Sequence, residues 1–195
     1  MERYAECERR TRETDIKVGL NIDGTGKYEI DTGIGFFDHM LEGFARHGFF
    51  DLTVKVKGDI QVDAHHTVED TGIVLGEAFA KALGEKEGIC RFGFFVLPMD
   101  DALVLASLDL SGRAYLAFEA EFPAEQLGTM ETETLREFFM GFASGAGMNL
   151  HIRQLAGTNT HHIAEAMFKA VAKAMDLAVK KDERIEGVLS TKGVL

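Results

Sequence analysis

The residues best suited to chemistry in this sequence are two copies of the motif His-His-x-x-Glu. The first copy runs from His65 to Glu69 and the second from His161 to Glu165. On a helix, the first His and the Glu of each motif share a face, and the second His lies about 100° around the axis. One helix could therefore present ligands to two neighbouring metal ions. A single His-His pair is usually a surface feature, but two such motifs in a chain with seven histidines favour metal binding.

The donor types indicate which metal the motifs would hold. Imidazole nitrogens and carboxylates without thiolate suit manganese or ferrous iron better than a closed structural zinc site. The order of residues is neither His-Glu-x-x-His nor His-x-x-Glu-His, so the motifs give no support to a zinc protease. Cys7 and Cys90 lie far apart without a Cys-x-x-Cys motif, as is typical of a reducing compartment.

Composition and charge exclude several classes of protein. The chain carries 21 Lys plus Arg against 32 Asp plus Glu, a formal net charge of −11. This charge repels nucleic acids and acidic lipid surfaces, so we expect neither partner. No apolar run approaches the roughly 18 residues needed to cross a bilayer, and Met1 opens no signal peptide. We therefore expect a cytoplasmic protein that binds no membrane.

Hydrophobic periodicity predicts the elements that position the motifs. Alternating apolar residues around Ile16–Leu20 and Tyr28–Ile30, with turn residues at Asp23–Gly26 between them, predict a β-hairpin. Four stretches have helical spacing and several others have strand spacing. The predicted helices cover residues 35–48, 68–83, 135–146 and 161–179, and the predicted strands cover 51–57, 92–96, 102–110, 115–122 and 150–155.

The two halves of the chain repeat each other. Gly43-Phe44-Ala45 aligns with Gly141-Phe142-Ala143, Leu52 aligns with Leu150 at the same offset, and the two histidine motifs follow in order. We therefore predict an α/β fold of the α+β type, an internally duplicated ββαβα-like unit with two sheets packed against helices. It forms one domain over residues 1–195, with pseudo-repeats at about 1–87 and 88–180 and a substrate-binding tail at 181–195. The same alignment adds one candidate ligand per half, His39 and Glu137.

Several segments resemble the signature sequences of the imidazoleglycerol-phosphate dehydratase family, and the resemblance extends over almost the whole chain from about Arg12. The segments are Phe37-Asp-His-Met-Leu41, Arg46-His-Gly-Phe-Phe-Asp51, Asp63-Ala-His-His-Thr-Val-Glu-Asp70, Leu150-His-Ile-Arg-Gln-Leu-Ala-Gly157, His161-His-Ile-Ala-Glu165 and Ser190-Thr-Lys-Gly193. The resemblance implies dehydration of D-erythro-imidazole-glycerol phosphate to imidazole-acetol phosphate in L-histidine biosynthesis. It also implies a ribosomal protein S5 domain 2-like fold, two Mn2+ per active site that stabilise an imidazolate, and a homo-oligomer, a 24-mer, with active sites at subunit interfaces.

The resemblance also assigns roles to individual residues. Implied metal ligands are His39, His65, His66, Glu69, Glu137, His161, His162 and Glu165. Implied catalytic residues are Glu13, His47, Asp100 and Glu165. Implied substrate contacts are Glu13, His39, His65 and Lys169, with Arg91, Arg113, Ser190 and Lys192 for the phosphate. The chain departs from the family at Glu137, where a His is typical, and at Gly43, where a polar residue is common.

Two alternatives remain open from the residues alone. The chain could be another dinuclear metal-dependent phosphate-ester enzyme, although it lacks Asp-rich metal motifs. It could also be a non-enzymatic metal-binding shell protein. Arg91, Arg113 and Lys192 discriminate between these classes, because a storage protein has no use for phosphate ligands.

Overall fold

The computed structural model describes residues 3–195, so the prediction about Met1 lies outside the described part. Its helices are α1 Gly35–Gly48, α2 His65–Leu83, α3 Thr134–Ala146 and α4 Thr160–Val179. Its strands are β1 Tyr4–Arg10, β2 Thr14–Asn21, β3 Tyr28–Asp31, β4 Asp51–Gly58, β5 Phe92–Met99, β6 Ala102–Asp109, β7 Tyr115–Glu119, β8 Gln126–Leu127, β9 Met130–Glu131 and β10 Asn149–Ala156. Within this range no helix is long and apolar enough to span a membrane.

Two four-stranded sheets have the same topology. Sheet 1 has the order β1-β2-β4-β3 and sheet 2 the order β5-β6-β10-β7. In each sheet the first three strands are antiparallel, and the last strand pairs in parallel with its neighbour. The predicted duplicated α/β fold with two sheets is therefore confirmed. Strands β8 and β9 form a separate two-stranded ribbon.

The predicted hairpin between residues 16 and 30 is wrong. Strand β2 pairs with β1 and β4, while β3 pairs only with β4, on its other edge. The Asp51 side chain explains the geometry, because it accepts hydrogen bonds from the N–H groups of Thr25 (2.8 Å) and Lys27 (2.9 Å). These bonds hold the loop between β2 and β3 against the start of β4, so that β3 pairs with the edge of β4 that faces away from β2.

The strand pattern also failed to predict β1. Ala5 is its only fully buried residue, and charged side chains such as Glu6 and Glu8 alternate with half-buried ones. This weak alternation is typical of an edge strand with one face in water.

The four helices lie between the two sheets. Helix α2 packs on β1 and β2, and α4 packs on β5 and β6. Across the layer, α1 of the first half packs against α4 of the second, and α3 of the second half packs against α2 of the first. Phenylalanine rings fill the centre: Phe79 meets Phe44 and Phe142 edge to face, with centroids 6.1 and 5.6 Å apart.

Helices α2 and α3 approach each other backbone to backbone. A Cβ atom at Gly141 would lie 2.7 Å from the carbonyl oxygen of Glu69, and one at Gly76 would lie 2.5 Å from that of Phe142. Glycine is required at these positions because no side-chain atom fits between the helices. The contact fixes the register of α3 against the helix that carries the first histidine motif.

Candidate metal centre and active site

The best-assembled part of the site joins α1 and α4. His39, His161 and Glu165 each offer a ligand atom, and these atoms lie within 4.8 Å of one another. The Nε2 atoms of His39 and His161 are 3.9 and 3.3 Å from Glu165 Oε2. Lys169, one turn further along α4, lies with its Nζ 2.7 Å from the other oxygen of Glu165.

The charge of Glu165 is held by its neighbours. Burial alone would raise the pKa of this carboxyl, but the hydrogen bond and charge of Lys169 outweigh it and lower the pKa. Glu165 is therefore ionised near neutral pH and lies beside two imidazoles as a candidate metal ligand. The ammonium group of Lys169 is the counter-ion of this buried carboxylate.

The equivalent group in the first half is less closely assembled. His65 Nε2 lies 3.6 Å from Glu69 Oε2. Glu137 on α3, the counterpart of His39, is bound instead by Arg136, with 3.2 Å between Nη1 and Oε1. Among residues 3–195, His39, His161 and Glu165 form the only group of three donors within 4.8 Å. The structure thus does not gather all eight predicted ligands at one place in a single chain.

The second histidine of each motif is oriented by a carboxylate. His66 Nδ1 lies 3.0 Å from Asp59 Oδ2, and His162 Nδ1 lies 2.7 Å from Asp101 Oδ1. A carboxylate on Nδ1 fixes the ring and leaves Nε2 directed elsewhere, as in metal sites whose His ligands are held by a second layer of residues. Asp100, predicted as catalytic, places Oδ2 3.4 Å from His162 Nε2.

Sequence reasoning missed both orienting aspartates. Asp101 also accepts hydrogen bonds from the N–H groups of Thr158 and Asn159, and these bonds, with His162, lower its pKa strongly. Its position in the β5–β6 turn beside Asp100 was a signal that could have identified it. Asp59 had no such signal, since it follows the end of β4 in an irregular segment.

Glu13 lies in the turn between β1 and β2, next to the first histidine motif. Its carbonyl oxygen accepts a hydrogen bond from the N–H of Asp59 at 3.0 Å. The pKa of His66 is raised, first by its hydrogen bond to Asp59 and further by the negative charge of Glu13. The predicted acid/base residue and a predicted ligand are therefore close neighbours.

His47 extends the polar face of α1. It lies two turns after His39, and its pKa is lowered by burial and then by the positive charge of Lys169. The imidazole is therefore neutral at physiological pH, where it can accept or donate a hydrogen bond. His151, by contrast, lies on the outer face of sheet 2 against Tyr115.

Among the predicted phosphate ligands, Arg91 lies near the carboxyl end of α4. Arg91 forms two hydrogen bonds to Asp109 (2.7 and 2.9 Å) and one to the carbonyl oxygen of Leu189 (2.7 Å). It shares a groove of about 530 Å³ with Ser190. Arg113 lies in the β6–β7 loop, bonded to the carbonyl oxygen of Ser111 at 3.3 Å. Lys192 is exposed in the tail.

The group of candidate metal donors and the group around Arg91 are far apart in one chain. The N–H of Arg91 donates to the carbonyl oxygen of Ala178, 13 residues along α4 from Glu165. Thirteen residues of α-helix span about 20 Å. Each chain therefore carries the two groups at opposite ends of α4.

The donors at the amino end of α4 fit a divalent metal ion. Two imidazoles and an ionised carboxylate, without thiolate, match the preference of manganese and ferrous iron. The fold and this site together define a duplicated α/β protein with a His- and carboxylate-lined candidate metal centre. Residues 32–175 match the family described as imidazoleglycerol-phosphate dehydratase. The chain belongs to this family, and it is an enzyme.

Named relatives match this chain over nearly its whole length. The imidazoleglycerol-phosphate dehydratases of Lachnoclostridium phytofermentans and Acetivibrio thermocellus are each 62% identical over 195 residues, covering 100% of both chains. The crystal structure of the enzyme from Pyrococcus furiosus in complex with (S)-C348 is 41% identical, with a TM-score of 0.84 over 96% of this chain and 99% of that one. That from Staphylococcus aureus is 34% identical, with a TM-score of 0.82 over 91% and 100%. The phosphate-ester enzyme and the shell protein have no support among these relatives.

Proposed function

We propose that this chain dehydrates imidazoleglycerol phosphate to imidazole-acetol phosphate. The observation that carries the proposal is the group formed by His39, His161 and Glu165, with Lys169 bound to Glu165, in a chain that matches dehydratases from end to end. The family name specifies loss of water from a polyol phosphate that bears an imidazole ring, and this group combines metal donors with a neighbouring cation.

Two manganese ions would be held by the histidine motifs together with one residue from α1 and one from α3. These ligands are His39, His65, His66, Glu69, Glu137, His161, His162 and Glu165. When bound, manganese supplies Lewis acidity to the imidazole ring and to the leaving hydroxyl. For Glu137 to join this set, its carboxylate must exchange Arg136 for the ion.

Protein side chains handle the protons of the reaction. The hydroxyl leaves the carbon that bears the imidazole and departs as water with the proton that the adjacent carbon gives up. The resulting enol then gains a proton on the first carbon and loses its O–H proton to become the ketone. Glu13 is the residue we assign to proton transfer, since a carboxylate on an exposed turn can reach the side chain of the substrate. Asp100 and His47 are further hydrogen-bonding groups for substrate hydroxyls, and Lys169 maintains the charge of Glu165.

The phosphate would be bound by a neighbouring copy of the chain. Arg91, Arg113, Ser190 and Lys192 offer guanidinium, hydroxyl and ammonium donors suited to a phosphate monoester. The separation of about 20 Å along α4 exceeds the length of this small substrate, so one chain cannot supply both ends. An active site between subunits resolves this separation.

The outer faces of the sheets support assembly. On sheet 2, Phe92, Phe94 and Val96 of β5 are 53%, 69% and 43% exposed. The corresponding strand of sheet 1 presents Glu6 and Glu8 to solvent. The outer face of sheet 2 is therefore apolar where the equivalent face of sheet 1 is charged. An exposed apolar face of this kind favours burial against another copy of the chain. By family resemblance the assembly is a 24-mer.

The first experiment measures turnover of imidazoleglycerol phosphate by chelator-stripped protein, with and without Mn2+. A His65→Ala/His161→Ala double variant is the control. Activity that returns with manganese and is absent in the double variant supports the proposal. Absence of turnover with every divalent metal, in protein that binds the substrate, contradicts it.

Mixing two inactive variants tests the shared active site. His161→Ala removes a metal ligand and Arg91→Ala removes a phosphate ligand. If the two residues act in one site from different chains, reassembled mixtures recover up to about a quarter of the wild-type activity by random assortment. No recovery after dissociation and reassembly would show that each site belongs to one chain.

A further inference from the structure

A buried carboxylate lies directly behind the first histidine motif. Asp70 follows Glu69 on α2 and is 7% exposed. Its Oδ2 accepts a hydrogen bond from the Thr14 hydroxyl at 2.6 Å, and its Oδ1 lies 3.1 Å from Arg9 Nη2. Both oxygens thus bind residues of the β1–β2 hairpin, and Thr14 itself is buried.

The same contacts continue to the turn that carries Glu13. Thr11 Oγ1 accepts hydrogen bonds from the N–H groups of Glu13 and Thr14, both at 3.0 Å, and lies 3.2 Å from Thr14 Oγ1. A continuous chain of hydrogen bonds therefore runs from Asp70 through Thr14 and Thr11 to the backbone of Glu13.

The duplicated half shows that the fold does not need this carboxylate. The alignment that matches His65 with His161 places Ala166 opposite Asp70, and Ala166 is fully buried. A buried ionised group is costly unless it is paired, and an apolar residue at this position packs well in the other repeat. Asp70 therefore has a role specific to the half that contains Glu13.

We propose that Asp70, acting through Thr14 and Thr11, is a positioning residue that holds the Glu13 carboxylate beside the first histidine motif. The proposal rests on the proton-transfer role of Glu13 in the proposed function. Glu13 is exposed in a short turn, so its placement depends on how that turn is anchored. Displacement of a reacting group by about 1 Å can lower a rate by roughly 100-fold.

The test compares variants that remove one hydroxyl each. Thr14→Val breaks the link between Asp70 and the turn. Thr71→Val is the matched control, because within the described part of the chain the Thr71 hydroxyl, on the same helix, bonds only to the carbonyl oxygen of Thr67 at 2.6 Å. Thr11→Val interrupts the link at an exposed position, where folding is not at risk.

We expect Thr14→Val to lower kcat by about 10- to 100-fold in the manganese-loaded enzyme, with KM and manganese affinity within about twofold. Thr11→Val lowers kcat in the same selective way, Thr14→Ser restores it, and Thr71→Val leaves it within about twofold of wild type. Equal kcat values for Thr14→Val, Thr11→Val and Thr71→Val would overturn the inference.

A separate Glu13→Gln variant keeps the two proposals distinguishable. If Glu13→Gln is inactive and the threonine variants are fully active, the proton-transfer role stands and the positioning role of Asp70 is wrong. If Glu13→Gln is fully active, the role of Glu13 in the proposed function is wrong and the positioning role is lost with it.

Discussion

Alanine at one duplicated position should have opposite effects in the two halves. Gly43 in α1 and Gly141 in α3 are equivalent in the internal repeat. A Cβ atom at Gly43 would meet nothing within 4 Å, whereas one at Gly141 would lie 2.7 Å from the Glu69 carbonyl oxygen and 3.0 Å from the Ile73 nitrogen. Both positions are inside helices, so the change in intrinsic helix propensity is the same and only the surroundings differ.

The magnitudes follow from these distances. Alanine is favoured over glycine in a helix interior by about 1 kcal/mol, so Gly43→Ala should raise the free energy of unfolding by about 0.5–1 kcal/mol. At Gly141 the new methyl group must push two backbones apart, which costs about 2–3 kcal/mol, the upper part of the usual range for overpacking, because the obstructing atoms belong to rigid backbone. After the propensity gain, Gly141→Ala should lower the free energy of unfolding by about 1–2 kcal/mol.

Thermal unfolding in chelator and at one fixed protein concentration is the appropriate assay, because bound metal and assembly both shift Tm. For a chain of this size 1 kcal/mol corresponds to about 2–4 °C, so the two variants should differ by at least about 4 °C. If Gly141→Ala were as stable as Gly43→Ala, the close contact of α2 and α3 described here would be refuted.

The effects of three further substitutions on the free energy of unfolding can also be predicted. Thr67→Val removes a buried hydroxyl that has no hydrogen-bond partner among residues 3–195, so denaturant titration should show unchanged stability or a gain of up to about 1 kcal/mol. The pKa of His47 is lowered in the folded state by burial and by the positive charge of Lys169, so the unfolded state binds a proton more readily than the folded state. The contribution of neutral His47 to the free energy of unfolding is therefore fully present above about pH 6.5 and is lost as the pH falls through the folded pKa. Stability measured from pH 7 to 5 should therefore fall less in His47→Gln than in the wild type, and an equal fall would contradict this. Asp109→Asn removes the acidic partner of Arg91, whose side chain is 13% exposed, and should lower the free energy of unfolding by about 1–3 kcal/mol, against no change for Asn at an exposed carboxylate.

Local pattern was enough to predict the helices and the ligand motifs. Helix α1 has the predicted bounds, and α4 begins one residue before the predicted start. Helix α1 alternates buried and exposed positions at helical spacing, and α4 is an uninterrupted run of helix-forming residues that are buried or half-buried throughout. Helix α2 starts at His65, three residues before its predicted start, since its first turn is polar. The spacing of apolar residues cannot reveal a helical turn that consists of polar candidate ligands.

Strand partners could not be predicted from the same information. The segment around β3 alternates like a hairpin strand, yet it pairs with β4, which lies more than 20 residues later in the chain. The loop before it is bound by Asp51, a long-range contact that leaves no mark in local periodicity. Pairing across a sheet depends on which strand completes the buried face, and this is a property of the whole fold.

The sequence by itself determined the family, the duplication and the identity of the candidate ligands, because these depend on residue types at fixed spacing. Only the tertiary structure decided which donors meet. It packs α1 against α4, which brings His39 to Glu165. It also supplies Asp59 for His66, and it separates Arg91 from the metal group by most of the length of α4. Side chains far apart in sequence become neighbours only when buried apolar faces fix the helices and sheets against one another, and no local spacing records that arrangement.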